Sequence, residues 1–163
     1  MVPSLLKKEL TAMREFLLPL WAAKKEKEDL GRTPIRDINE SPDTDMCRLT
    51  SAFLVLFFSA RGDSVVVCGG EPCHNDAGGY LKPNGEWAGH YWIDLDGQVV
   101  DLTAEQFGGE KIVMTSPGFL PYRQNIFNGE LDDIMFHAEN TAHDWFVAYM
   151  KHRNGNGAYY WQE

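Results

Sequence analysis

The feature that most constrains this chain is a pair of short alternating runs, residues 90–95 and 98–103, joined by Asp96-Gly97. Asp-Gly is a preferred two-residue hairpin turn, because both central positions take positive φ. The spacing therefore predicts an antiparallel hairpin with Leu95 facing Gln98, Trp92 facing Asp101 and His90 facing Thr103. Side chains alternate along a strand, so His90, Trp92, Asp94, Val99, Asp101 and Thr103 share one face. Across that face His90 and Asp101 are diagonal neighbours, roughly 7–8 Å apart at the backbone, and their side chains can meet. A carboxylate that accepts from one ring nitrogen of a histidine fixes its tautomer and leaves the other nitrogen for a nucleophile. Asp94 lies on the same face and competes for that orienting role, whereas Asp96 reads as a turn residue. The plainer alternative is a half-exposed strand with scattered polar residues.

The nucleophile that would complete such a site lies upstream. Residues 31–45 are rich in Pro, Asp, Asn, Ser and Thr and predict a loop, from which Thr44 or Asp45 caps a helix over about 46–60 that stops at Gly62. Met46, Leu49, Ala52, Phe53, Leu56 and Phe57 form its apolar stripe. Leu54, Val55 and Phe58 make its second half apolar nearly all round, the pattern of a helix buried in mid-domain. Cys47 stands at the start of this helix, where unpaired N–H groups and the helix dipole favour a thiolate and can hold an oxyanion. Two local facts weigh against it: buried cysteine is common, and negative charge of the kind Asp43 and Asp45 carry raises a thiol pKa.

The remaining elements fall around this pair. Residues 4–29 have helical spacing, with Leu5, Leu6, Leu10, Met13, Phe16 and Leu17 on one face and Pro19 expected to kink or divide the helix. Residues 64–68 read as an inner strand, 69–88 as a long glycine-rich surface loop, 111–115 as a third antiparallel strand, 116–129 as loop and 138–153 as a final helix. Helices first and an antiparallel sheet after them give an α+β fold, read as one domain over 1–163 with an N-terminal helical segment (1–30), a core (45–115) and a C-terminal helix (138–153).

Charge and composition narrow the function. The chain carries 15 basic against 24 acidic residues, a formal charge of −9. Nucleic-acid and membrane-surface binding both need a basic footprint, and neither is expected. The longest apolar run, 52–58, is about a third of the ~20 residues a membrane span needs. Three cysteines, Cys47, Cys68 and Cys73, and no secretory signal at the start point to a reducing, cytoplasmic setting.

Two stretches, CRLTSAFLVLFFSARGDSVVVCGG and GHYWIDLDGQVVDLTAEQFG, together resemble the transglutaminase-like branch of the papain-like cysteine enzymes. That superfamily places a cysteine at the start of a central helix, then a Gly-bounded strand, then a His-x-Trp strand, then a strand carrying Asp. Here Cys47, Gly62, His90 with Trp92, and Asp101 occupy those places in that order. The match is also similar to the small leader-peptide proteases of lasso-peptide maturation and to a group of bacterial proteins sharing the Asp-x-Thr-Ala-x-Gln-Phe run. The resemblance implies a papain-like or transglutaminase-like core with a central Cys-bearing helix on an antiparallel sheet. It also implies a Cys47–His90–Asp101 triad, no cofactor, and a peptide or protein as the substrate partner. One departure concerns the oxyanion hole. Papain has a glutamine shortly before its cysteine, whereas residues 39–46 here offer no glutamine and Asn39 as their one amide.

The expected activity is hydrolysis of a peptide or side-chain amide through a thioester, with glutamine deamidation or transglutamination as variants on the same steps. The rivals are a non-catalytic binding module, for which Tyr159, Tyr160 and Trp161 would serve, and a zinc site built from Cys68, Cys73, His74 and His90. No metal is expected on the favoured reading. His137, His143 and His152 read as structural or solvent-facing.

Overall fold

The computed structural model describes residues 2–30, 40–73, 77–118 and 120–155. Its helices are α1 (Pro3–Asp29), α2 (Cys47–Ala60), α3 (Asn128–Phe136) and α4 (Glu139–Gly155). Its strands are β1 (Val65–Gly70), β2 (Gly79–Leu81), β3 (Trp87–Ala88), β4 (His90–Leu95), β5 (Gln98–Asp101), β6 (Val113–Thr115) and β7 (Tyr122–Arg123). The strands form two antiparallel sheets, one ordered β1-β4-β5-β6 and one ordered β3-β2-β7. The architecture is α+β, as expected. No helix among the described residues is long and apolar enough to cross a membrane.

The hairpin register is the one its turn dictates: Leu95 faces Gln98, Asp94 faces Val99 and Ile93 faces Val100. Alternation then splits the larger sheet into two faces. Ile93, Leu95, Val100 and the following Leu102 pack with Leu10, Met13, Leu17 and Trp21 of α1, Phe53 and Phe57 of α2, and Trp145 and Tyr149 of α4. Trp92, Val99 and Cys68 turn the other way and form a second cluster with Ala104 and with Tyr80 and Tyr122 of the smaller sheet. The molecule thus has a helical core on one side of the main sheet and an aromatic core on the other.

Several expectations are corrected. Pro19 does not divide α1, which runs through it. Pro19 and Glu15, whose carbonyl loses its helical donor there, both face solvent, so water can replace the missing bond. Neither Thr44 nor Asp45 caps α2. Its cap position is Met46, without a side-chain hydrogen bond, and Asp45 takes φ 63° in the turn before it. Gly62 does end the helix, in the left-handed conformation that turns the Asp63 N–H back to the Phe58 carbonyl at 3.0 Å. Nor is α2 buried all round. Ala52, Val55 and Leu56 are half-buried and line a groove of about 290 Å³ with Val67, Met135 and Phe136.

The stretch 69–88 is not simply a surface loop, and 116–129 is not loop throughout. Gly69 and Gly70 extend β1, β2 and β3 lie within the first stretch, and β7 and the start of α3 lie within the second. These pairings are too short to show alternation. They also depend on backbones approaching closely: a Cβ on Gly70 would meet the Arg123 carbonyl at 2.3 Å, and one on Gly79, at φ +92°, would meet the Ala88 carbonyl at 2.0 Å. Residues 31–39, 74–76 and 156–163, which include Asn39, His74 and the aromatic tail, lie outside the described residues.

Candidate active site

Cys47 is the first residue of α2 and is half-buried. The turn that delivers it is held from within and from outside. The Met46 N–H bonds the Asp43 carbonyl at 3.0 Å. The Asp43 carboxylate, fully buried, accepts from the Ser41 hydroxyl and from the Gln106 N–H. Burial pushes the Asp43 pKa up, against the hydrogen bonds that pull it down. With no capping side chain at Met46, the first-turn N–H groups beside the thiol are left uncapped by any side chain of that residue.

His90 begins β4 and is wholly buried. Its Nε2 lies 2.7 Å from Asp101 Oδ2. Its Nδ1 is buried with no formed hydrogen bond among the described residues. The Cys47 thiol stands close enough to this ring to favour a proton on it. Burial alone would lower the His90 pKa, but the Asp101 carboxylate, and after it Cys47, outweigh burial and hold it above the ordinary histidine value. Aromatic rings enclose the imidazole: Phe107 and Tyr80 meet it edge-on at 5.0 and 5.9 Å, and Trp92 stacks at 6.0 Å.

Asp101 closes β5 and is 2% exposed. A bare carboxylate at that depth would be protonated, so its donors matter. Oδ1 accepts from the Thr103 N–H at 2.8 Å and the Thr103 hydroxyl at 3.0 Å. Oδ2 accepts from His90 and from the Tyr122 hydroxyl, at 2.7 and 2.8 Å. Burial works to raise its pKa, yet the His90 charge and these hydrogen bonds prevail and hold it below the ordinary carboxylate value.

Gln106 straps the two halves together. Its Oε1 accepts from the Asp45 N–H at 3.3 Å, and its Nε2 donates to the Thr103 carbonyl at 2.7 Å. One side chain therefore ties the turn before Cys47 to the turn after Asp101. From the other side, Arg14 of α1 donates to the Leu102 carbonyl at 3.2 Å and pairs with Glu105.

Cys47, His90 and Asp101 are thus brought together, whereas the alternative orienter is not part of the group. Asp94 accepts from the Gly97 N–H at 2.8 Å and serves the hairpin turn, as its position one step from the bend requires. Of the proposed zinc ligands, His74 lies outside the described residues, and Cys68, Cys73 and His90 do not form a metal-binding group. Cys68 is buried beside Trp92 with its thiol pushed up to about 11 by burial and by the Asp94 charge, Cys73 is exposed, and His90 is engaged by Asp101. Among the described residues no group of three or more His, Cys, Asp and Glu side chains could hold a metal ion. His137, His143 and His152 lie on the surface at the end of α3 and on α4.

Five contributors escaped the sequence reading. Thr103, Gln106 and Phe107 belong to the conspicuous run after Asp101, but nothing in that run says what each would touch. Tyr80 and Tyr122 come from stretches read as loop and carry no local signal. Comparison with protein-family models, with curated proteins and with solved structures gives no match for this chain.

Proposed function

We propose that this chain is a papain-like or transglutaminase-like cysteine enzyme that hydrolyses a peptide or side-chain amide through a thioester. The observation that carries this reading is the His90 ring. Its Nε2 is engaged by a buried carboxylate, its Nδ1 forms no hydrogen bond among the described residues, and the Cys47 thiol at the start of α2 is near enough to favour a proton on the ring.

On this reading Nδ1 takes the Cys47 proton, and Asp101 balances the imidazolium charge inside a low-dielectric pocket. The sulfur attacks the amide carbonyl carbon, and negative charge develops on the carbonyl oxygen beside the first-turn N–H groups of α2. The C–N bond then breaks as His90 returns its proton to the leaving amine, giving a thioester on Cys47. Water, deprotonated by the same nitrogen, attacks the thioester and releases acid and free thiol. His90 and Asp101 are sealed from solvent, so both the substrate and the second nucleophile arrive on the Cys47 side. The burial also supports a second reading, transfer to an amine: a site that admits little water gives a bound amine time to compete.

The test is intact-mass analysis after reaction with an electrophilic amide analogue, followed by mapping of the modified residue. The expected result is one adduct on Cys47, absent in Cys47→Ala and slowed in His90→Ala. Modification at Cys73 alone, at the rate of a free thiol, would sink the proposal.

A further inference from the structure

We infer that Tyr122 is a positioning residue of this centre: its hydroxyl holds the Asp101 carboxylate in the orientation that keeps His90 turned towards Cys47. The inference rests on the proposed cysteine chemistry and extends it to a residue on the far sheet.

Each Asp101 oxygen is held by two donors. The Thr103 pair on Oδ1 is local, two residues along the chain, and sets the turn that follows β5. Oδ2 has a different task, because it must present a lone pair to His90. Left with His90 alone, that oxygen could swing with the carboxylate torsion or take the proton. The Tyr122 hydroxyl, 2.8 Å away, occupies its second lone pair and blocks both. Burial and the Asp101 charge hold the phenol well above its ordinary pKa, so it remains a donor at any pH where the enzyme would work.

Placement supports a dedicated role. Tyr122 faces Tyr80 across the β2–β7 pairing, and its ring packs on Tyr80 and Trp92, each at a centroid distance of 5.2 Å, and lies 6.3 Å from His90. It therefore touches both members of the buried pair while belonging to the other sheet. The Tyr122 side of the aromatic core also borders a cavity of about 400 Å³ lined by Trp92, Val99 and Leu120 among others. That cavity offers a way in for a small aromatic molecule once the tyrosine side chain is removed.

A merely structural account is available, since a buried tyrosine hydroxyl needs some partner. The two accounts separate in the pH profile of Cys47 alkylation by iodoacetamide, which needs no substrate. Tyr122→Phe is expected to slow alkylation about tenfold and to move the acid limb up by about one pH unit, because the carboxylate has lost a donor. Fluorotyrosine installed at position 122 keeps the packing and donates more strongly, so the acid limb is expected to move down. In Tyr122→Ala, phenol is expected to restore much of the rate and toluene, of the same shape but without a hydroxyl, to restore none. An unmoved profile in both the Phe and fluorotyrosine variants, or rescue by toluene equal to that by phenol, overturns the inference while leaving the cysteine reading intact. Wild-type Cys47 that reacts no faster than a simple thiol overturns both.

Discussion

Asp101→Asn isolates what the buried carboxylate contributes, because it keeps the volume and removes the charge. The asparagine oxygen can retain the Thr103 pair at 2.8 and 3.0 Å. Its amide then points NH₂ at His90 Nε2 and at the Tyr122 hydroxyl, where Oδ2 had accepted from both. To avoid donor facing donor, His90 must present a lone pair at Nε2 and carry its proton on Nδ1, the nitrogen required to receive the thiol proton. Reverting to the useful tautomer leaves a buried N–H unsatisfied, at a cost of about 1–3 kcal/mol, and the imidazolium has also lost a charge-assisted bond of about 1.5–3 kcal/mol. Together these give roughly 2.5–6 kcal/mol, or about a 10²- to 10⁴-fold loss of rate. The assay is iodoacetamide alkylation followed by peptide mapping. Exposed Cys73 serves as an internal reference for ordinary thiol reactivity, and buried Cys68 is expected to stay unmodified. Circular dichroism shows whether the fold is kept. A Cys47-to-Cys73 rate ratio equal to wild type in a folded Asp101→Asn protein would refute the reasoning.

Asp94→Ala is expected to lose about 1 kcal/mol of stability in a denaturant melt through the missing turn hydrogen bond, with the alkylation ratio unchanged; a collapse of that ratio would return Asp94 to the orienting role. Gln106→Ala removes both strap bonds and is expected to cost about 1–3 kcal/mol of stability and to slow Cys47 more than Cys73, so equal rates would show that the strap does not position the thiol. Gly79→Ala places a Cβ against the Ala88 carbonyl at positive φ and is expected to lose upwards of about 2 kcal/mol, measured by thermal unfolding; a neutral result would mean that β2 and β3 are not paired in solution. The buried ion pair also makes stability depend on pH with a defined sign. Asp101, with its pKa depressed, contributes above the ordinary carboxylate value of about 3.9 and loses its contribution as pH falls through its folded value. His90, with its pKa raised, contributes fully below about 6.5 and loses its contribution as pH rises through its folded value. Urea melts are therefore expected to show a plateau between those limits, flattened on both sides in Asp101→Asn.

The parts of this site that were legible are those set by short-range geometry. Asp96-Gly97 fixes a register, register fixes which side chains share a face, and so His90 and Asp101 could be paired before any fold was known. Cys47 was legible as a helix start followed by an apolar stripe. The cap was not, because the turn before α2 is held by Gln106 from 61 residues further on rather than by its own Thr44 or Asp45. Asp94 and Asp101 lay on one face with nothing local to choose between them; the choice follows from where the bend spends its hydrogen bonds. The smaller sheet was illegible for a different reason. Its strands are two or three residues long and built around glycines, so they carry no periodicity, and Tyr80 and Tyr122 are identified by what they approach across the molecule.

The division of the interior into a helical core and an aromatic core has a consequence for how such a centre would fail. The sulfur rides on α2, which is embedded among Leu10, Trp21 and Tyr149, whereas the base leans on the rings of Tyr80, Phe107 and Trp92. Proton transfer between them crosses the seam between two clusters that pack on opposite faces of the main sheet. Local opening costs less free energy than global unfolding, and a misplacement of about 1 Å along this seam is enough to cost much of the rate. Warming is therefore expected to silence Cys47 while both clusters are still folded. A ligand that gripped α2 and the aromatic side at once would act as a rivet across the seam, raising the temperature of silencing more than the temperature of melting.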